Sequence, residues 1–159
     1  MRFAAILLLL LTACAAPGRG PVDGFRRDGA PIASAALFEP QRFLGDWVVV
    51  AETPGPEARC PAEVTWARSG PGYTRARCPG AAEVRALSGP GRFTGSGAAP
   101  IWVLWVDSGY RTAVLGTPDG SFARILNRDP VIPADRYAAA RELLDFNGYD
   151  LRALRRRDN

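Results

Sequence analysis

Histidine is absent from all 159 residues, and that gap removes much of the chemistry a small domain could offer. No Ser–His–Asp or Cys–His nucleophile can be assembled, and zinc or haem lacks its commonest ligand. Three cysteines remain, Cys14, Cys60 and Cys78, with sixteen acidic and twenty basic side chains. Glu52, Glu63 and Glu83 fall in separate strand candidates, and no spacing brings two carboxylates together for acid–base work. No catalytic residue, metal or cofactor is expected. Every basic residue is arginine, and the arginines are scattered among acids. The net charge of +4 therefore implies no phosphate-binding face and no nucleic-acid partner.

The elements that must position these residues form one domain. Nearly half the residues are apolar, enough for a core. From Trp47 onward short β-branched and aromatic runs alternate with turn signals. The strand candidates are Trp47–Glu52, Glu63–Arg68, Tyr73–Cys78, Glu83–Leu87, Gly91–Thr94, Ile101–Asp107, Tyr110–Gly116 and Phe122–Arg128. Eight strands in simple succession fit an all-β, antiparallel up-and-down barrel. Asp107-Ser108-Gly109 and Pro118-Asp119-Gly120 are tight-turn sequences that make the last three strands hairpin neighbours. After Pro130 the period changes. "PADRYAAARELLDFNG" opens with Pro133, carries Asp135 in its first turn and ends at Gly148, with Tyr137, Ala140, Leu143 and Leu144 on one face. One α-helix is expected outside the sheet.

The N-terminus reads "MRFAAILLLLLTACAA". One charge at Arg2 precedes an apolar run too short to span a bilayer, which is the pattern of a secretion signal. Leu11-Thr12-Ala13-Cys14 resembles the lipobox of bacterial lipoproteins. That resemblance implies cleavage before Cys14, a diacylglyceryl group on its sulfur and a fatty acyl group, palmitate in the usual case, on its new amine. Two lipid signals give stable anchoring. Ala15, in place of aspartate, implies the outer membrane, with the protein facing the periplasm. The expected organisation is a signal peptide over 1–13, a lipidated cysteine and flexible tether over 14–39, with its last part docked, and a folded domain over 40–157.

Setting Cys14 aside leaves Cys60 and Cys78, an even pair in an exported chain. If the hairpin folds about Ser69-Gly70-Pro71-Gly72, Cys60 lies opposite Cys78, Ala62 opposite Ala76 and Val64 opposite Thr74. A cross-strand disulfide then fits, worth about 3 kcal/mol by the loop-entropy relation. Two unpaired structural thiols are the alternative, and the spacing of a redox-active CxxC pair is missing.

Three blocks in order resemble the lipocalin family, in particular its membrane-anchored bacterial branch. They are Gly45-x-Trp47 within "RFLGDWVVVAETP", "YRTAVLG" after "WVLWVD", and "ARILNRDP" with Arg128. The resemblance spans roughly residues 38–154, including the terminal helix and "GYDLRAL". It implies that Trp47 closes one end of the barrel and that Arg128 lies across its ring. That cation–π contact is worth roughly 0.5–2 kcal/mol. Both residues, with Gly45, are structural on this reading.

Family members bind fatty acids, lysophospholipids and related lipids, so a lipid-binding envelope protein is implied, for storage or transport. If Trp47 faces inward, period-two alternation turns Val49 and Ala51 inward as well. "IWVLWVD" is apolar on both parities, which leaves open whether Trp102 or Trp105 faces the cavity; Trp102 and Leu104 are the tentative wall residues. Tyr110 matches a position the family usually fills with an aromatic. Arg111 and Arg124 are candidate partners for a carboxylate or phosphate, with a solvated outer face as the alternative for each. Residues 87–101 are shorter than the corresponding family region, which bears on rim and cavity volume. A second reading is a filled barrel acting as a structural or protein-interaction module; an enzyme is a third, which the missing histidine disfavours. Nothing in the sequence speaks to oligomeric state.

Overall fold

The computed structural model describes residues 24–55, 60–76 and 81–157; the signal segment, Cys14 and Cys78 lie outside them. The eight strands are β1 (Gly45–Glu52), β2 (Glu63–Ser69), β3 (Gly72–Arg75), β4 (Glu83–Gly89), β5 (Arg92–Gly95), β6 (Ala98–Val106), β7 (Thr112–Gly116) and β8 (Ala123–Asn127). Each pairs antiparallel with the next, and β1 pairs with both β8 and β2, so the sheet closes into a barrel. The single turn α1 (Pro40–Phe43) precedes β1, and α2 (Ala134–Phe146) packs outside against β7, β6 and β8.

Alternation builds two cores. Along β2, Val64 and Trp66 are buried while Glu63, Thr65 and Ala67 are exposed, the pattern of a strand with one wet face. β7 and β8 are buried throughout, because α2 covers their outer face. Inside the barrel, Trp47, Val49, Val64, Trp66, Phe93 and Leu126 belong to one cluster. Outside, Val50, Val114, Ile125, Ala140, Leu144 and Tyr149 form another beneath α2. The helix ends where Gly148 takes φ 87° and Tyr149 N–H bonds back to the Leu144 carbonyl at 2.9 Å, a left-handed stop suited to glycine.

Tyr149 fastens that helix end to the barrel. Its hydroxyl donates to the Thr117 carbonyl at 2.7 Å and accepts from the Thr117 N–H at 2.8 Å. Burial pushes the phenol up to about 12, above the ordinary tyrosine range. A folded value above the unfolded one leaves this contribution intact below about pH 10 and removes it as pH rises toward 12. Between pH 9 and 11.5, urea unfolding of the wild type should lose about 2 kcal/mol more than that of Tyr149→Phe. Equal losses would place the alkaline sensitivity elsewhere.

The structure departs from expectation in four places. Residues 24–39, read as a tether docked only at its end, lie on the barrel from the start. Phe25 N–H donates to the Gly120 carbonyl, and Ala35 N–H to the Val103 carbonyl, each at 2.8 Å. Arg26 is buried, with Nε donating to the Asn147 carbonyl at 2.7 Å. Second, the β2–β3 register is displaced by three residues: Thr74 pairs with Ala67, not Val64. The turn is closed by Ser69 and Gly72, with Gly70 at φ 54° as the first of two central residues. Cys60 is buried, and Cys78, its expected partner, lies outside the described residues. Third, a bulge between Val49 and Ala51 breaks the alternation, so Ala51 joins the outer core. Fourth, β9 (Arg155–Arg156) pairs with Ala51 and Glu52 of β1, an addition the sequence did not signal.

Candidate ligand site inside the barrel

The sealed end is built around Trp47. Gly45, at φ 97°, turns the chain into β1 in a conformation side chains rarely adopt, and Trp47 follows, fully buried. Its Nε1 donates to the Phe43 carbonyl at 2.8 Å, which ties the plug to α1. Arg128, just past β8, lies with its guanidinium carbon 3.7 Å from the Trp47 ring centroid. It also donates to the carbonyls of Asp46 at 2.6 Å and of Arg42 and Leu44 at 3.0 Å. Burial first, and then the charge of Arg111, lower its pKa. One guanidinium thus serves the carbonyls that end α1 and begin β1 as well as the indole face.

Above this plug the interior is aromatic. Phe43 lies 5.1 Å from Trp47 and 5.3 Å from Trp66, and Phe93 lies 4.7 Å from Trp66 and 5.4 Å from Tyr73, measured between ring centroids. Trp66 is fully buried, yet its Nε1–H finds no acceptor among the described residues. Buried indole N–H groups are ordinarily satisfied.

Toward the opposite end, the mouth, the inward positions turn charged. Glu52 receives Arg124 at 2.9 Å and Arg157 at 2.5 Å. Glu83 receives Arg75 at 3.4 Å and also Arg85, whose other nitrogen donates to the Ala99 carbonyl at 2.9 Å. Glu52, Arg75, Arg85 and Arg124 are all buried. Buried ion pairs of this kind contribute little net stability compared with apolar packing, so stability alone does not account for them. A cavity of about 30 Å³, lined by Val49, Cys60, Glu63, Val64, Arg124 and Arg157 among others, lies beside the Glu52 group. A separate open concavity of about 440 Å³ is lined by the outward-facing Val84, Ala86 and Thr94 and the turn at Ser69 and Pro71.

The tentative ligand residues separate on this geometry. Val49 faces the interior and Arg124 lines the small cavity, held by Glu52. Ala51, Trp102 and Leu104 lie in the outer core. A bulge between Val103 and Trp105 shifts the pairing of β6, and Ile101 and Val103 are the inward residues there. Trp102 instead carries Arg92 over its ring at 4.3 Å. Tyr110 is inside but at the sealed end, φ 55°, its hydroxyl accepting from the Glu39 N–H at 2.7 Å. Arg111 is half exposed and paired with Asp129. Trp66, Arg75, Glu83 and Arg85 were missed. Their alternation along β2 to β4 is a legible signal, but three charges at inward positions read as a solvated face.

The barrel is closed, antiparallel, sealed at one end and lined with rings. A sequence model described as the lipocalin-like domain matches residues 78–159, just over half of the chain. The chain belongs to the lipocalin family. No curated protein matches it by sequence. Among solved structures it is similar in fold to lipocalin 12 from rat epididymis, at 16% identity over 89% of this chain and 94% of that one, with a TM-score of 0.58. Insecticyanin from the tobacco hornworm Manduca sexta superposes at 15% identity over 86% and 87%, TM-score 0.57. The cockroach allergen Per a 4 does so at 10% identity over 82% and 95%, TM-score 0.59. These likenesses concern the fold. Lipocalins typically bind small hydrophobic ligands and are in general binding or transport proteins.

Proposed function

We propose that this chain is a membrane-anchored lipocalin that binds a small hydrophobic ligand of the fatty-acid or lysophospholipid class in its barrel. It stores or carries that lipid in the bacterial envelope and performs no catalysis. The observation that carries the reading is Trp66: a fully buried indole N–H without an acceptor, among interior rings and below buried arginines. An acyl chain laid on that floor gains about 0.8 kcal/mol per buried methylene, and an oxygen of the ligand satisfies the indole. Arg124 and Arg85 supply guanidinium groups suited to a carboxylate or phosphate. The acylated Cys14 holds the protein on the periplasmic side of the outer membrane, and Cys60 pairs with Cys78 in that oxidising compartment.

Extraction of the purified soluble form, residues 15–159, with organic solvent tests the ligand. One fatty acid or lysophospholipid per chain is expected by mass spectrometry, and a chain that yields none, even after incubation with envelope lipid, contradicts the reading. In the same preparation, alkylation with and without reductant should mark Cys60 and Cys78 only after reduction.

A filled barrel is the second reading, favoured by one observation. The cavity beside Arg124, among the described residues, is water-sized at about 30 Å³, whereas pockets for drug-sized ligands run to roughly 300–1,000 Å³. On the ligand-binding reading, the acid of the ligand takes over the arginines of the Glu52 and Glu83 groups.

A further inference from the structure

The chain meets the barrel at the mouth, not at the plug. Gly24 is pressed against the β7–β8 turn: a Cβ there would stand 2.8 Å from the Asp119 carbonyl. Phe25 N–H bonds to the Gly120 carbonyl of the same turn at 2.8 Å, and Asp150 N–H returns to the Phe25 carbonyl at 2.8 Å. That turn stands opposite the sealed end, because β8 starts beside Thr53 at Ala123 and finishes next to Arg128 on the Trp47 ring. From Gly24 the chain then descends the outer wall, through Ala35 on Val103, to Phe38 and Phe43 in the aromatic floor.

Cys14 lies ten positions before Gly24. Ten residue steps of any chain reach at most about 35 Å. β1 alone is eight residues long, so a tilted barrel wall stands roughly 20 Å high. The mouth lies at the root of the tether, whereas bringing the plug to the bilayer requires the tether to run the full height of the wall.

The side chains around the mouth suit an anionic lipid surface. β9 lies beside the last residues of β1, and its Arg155 and Arg156 are both exposed, with no carboxylate partner among the described residues. Arg152, three-quarters exposed and paired with Asp150 at 2.8 Å, lies just before them, and Arg156 extends over the Tyr137 ring at 4.5 Å. Phe146 ends α2 and is 73% exposed, three residues before the Tyr149 that bonds the root of the β7–β8 turn. The sealed end exposes Leu37 and Val131; there Arg42 is paired with Glu39 and Arg111 with Asp129, and Arg68 and Arg92 lie over the rings of Tyr73 and Trp102.

We propose that the anchored barrel stands mouth-down on the bilayer, Phe146 entering the headgroup layer and Arg152, Arg155 and Arg156 facing anionic headgroups. The proposal rests on the reading of Cys14 as lipidated. Its consequence is that a lipid ligand passes between bilayer and barrel without crossing open water.

Amide hydrogen exchange on the full lipidated chain tests it, in phosphatidylethanolamine vesicles with and without phosphatidylglycerol. With the anionic lipid, amides of 117–122 and 146–157 should exchange about tenfold more slowly, and those of 37–44, 108–111 and 129–132 should be unchanged. The variant Phe146→Ser, Arg152→Glu, Arg155→Glu, Arg156→Glu should still float with vesicles but lose that protection. Protection at the sealed end, or at neither end of a chain that floats, overturns the orientation. Intact mass reads the anchor independently: an unmodified Cys14 defeats the anchor reading, and the orientation with it.

Discussion

Trp47→Ala is expected to destabilise the barrel by about 3–5 kcal/mol, among the larger costs for removing a buried aromatic. The indole is fully buried in the interior cluster, so its removal leaves a cavity between Phe43, Val49 and Leu126 that the closed sheet cannot collapse to fill. The loss extends beyond apolar area. Arg128, now over a void, loses the ring 3.7 Å away, and the Phe43 carbonyl loses its donor at 2.8 Å. Urea unfolding followed by circular dichroism measures this, as a midpoint lowered by more than about 1 M. Trp47→Phe should recover part of the loss, since it refills volume without restoring the hydrogen bond. A Trp47→Ala protein within about 0.5 kcal/mol of wild type would mean that the indole does not seal the barrel.

Glu52→Gln is expected to cost a comparable 3–5 kcal/mol, for an electrostatic reason. The carboxylate is 3% exposed and holds Arg124 at 2.9 Å and Arg157 at 2.5 Å. Neutralising it leaves two guanidiniums sharing a low-dielectric site without that charge, and truncation of one member of a buried pair is far costlier than replacement of the whole pair. A double-mutant cycle separates this from simple loss of shape. Glu52→Gln with Arg124→Gln should be less destabilised than the sum of the single variants by 1 kcal/mol or more, read from urea midpoints. Additive effects would show that the two side chains do not act as a pair.

Much of the fold was legible, because its signals are local. The "WVVVAE", "VTWAR" and "RILN" runs carry the β-branched and aromatic composition of half-buried strands, and turn residues separate them, so eight strands were expected and eight form the barrel. The plug was legible for a different reason: Gly45, Trp47 and Arg128 match a family's blocks, and spacing alone would not have paired residues eighty positions apart. What escaped prediction depends on single-residue shifts. Period-two reasoning turned Ala51 inward, but a bulge in β1 moves it outside; β6, apolar on both parities, carried no signal, and Trp102 and Leu104 lie outside. The β2–β3 register moved by three because the turn centres on Gly70 and Pro71, closed by Ser69 and Gly72, whereas the expected pairing centred on Ser69. Arg26 is an isolated arginine in a Gly- and Pro-rich run, and only the Asn147 and Pro118 carbonyls it reaches identify it as a buried fastener.

The inner wall shows the same limit. Arg75 and Arg85 sit where an interior-facing residue belongs, and Glu83 between them makes that tolerable, but each reads singly as a surface charge. The site is legible as a cup and illegible in its upper lining.

Whether that cup takes a guest is the central claim. The direct measurement is titration of the soluble form, residues 15–159, with oleate and with lysophosphatidylcholine, following tryptophan fluorescence, with Trp66→Phe as the control for the reporting ring. The account predicts saturable binding at one ligand per chain, with Kd in or below about the low micromolar range, and a signal change that is mostly lost in Trp66→Phe. No saturable response, together with no displacement of an apolar dye, would contradict it and leave the barrel filled by its own rings and ion pairs.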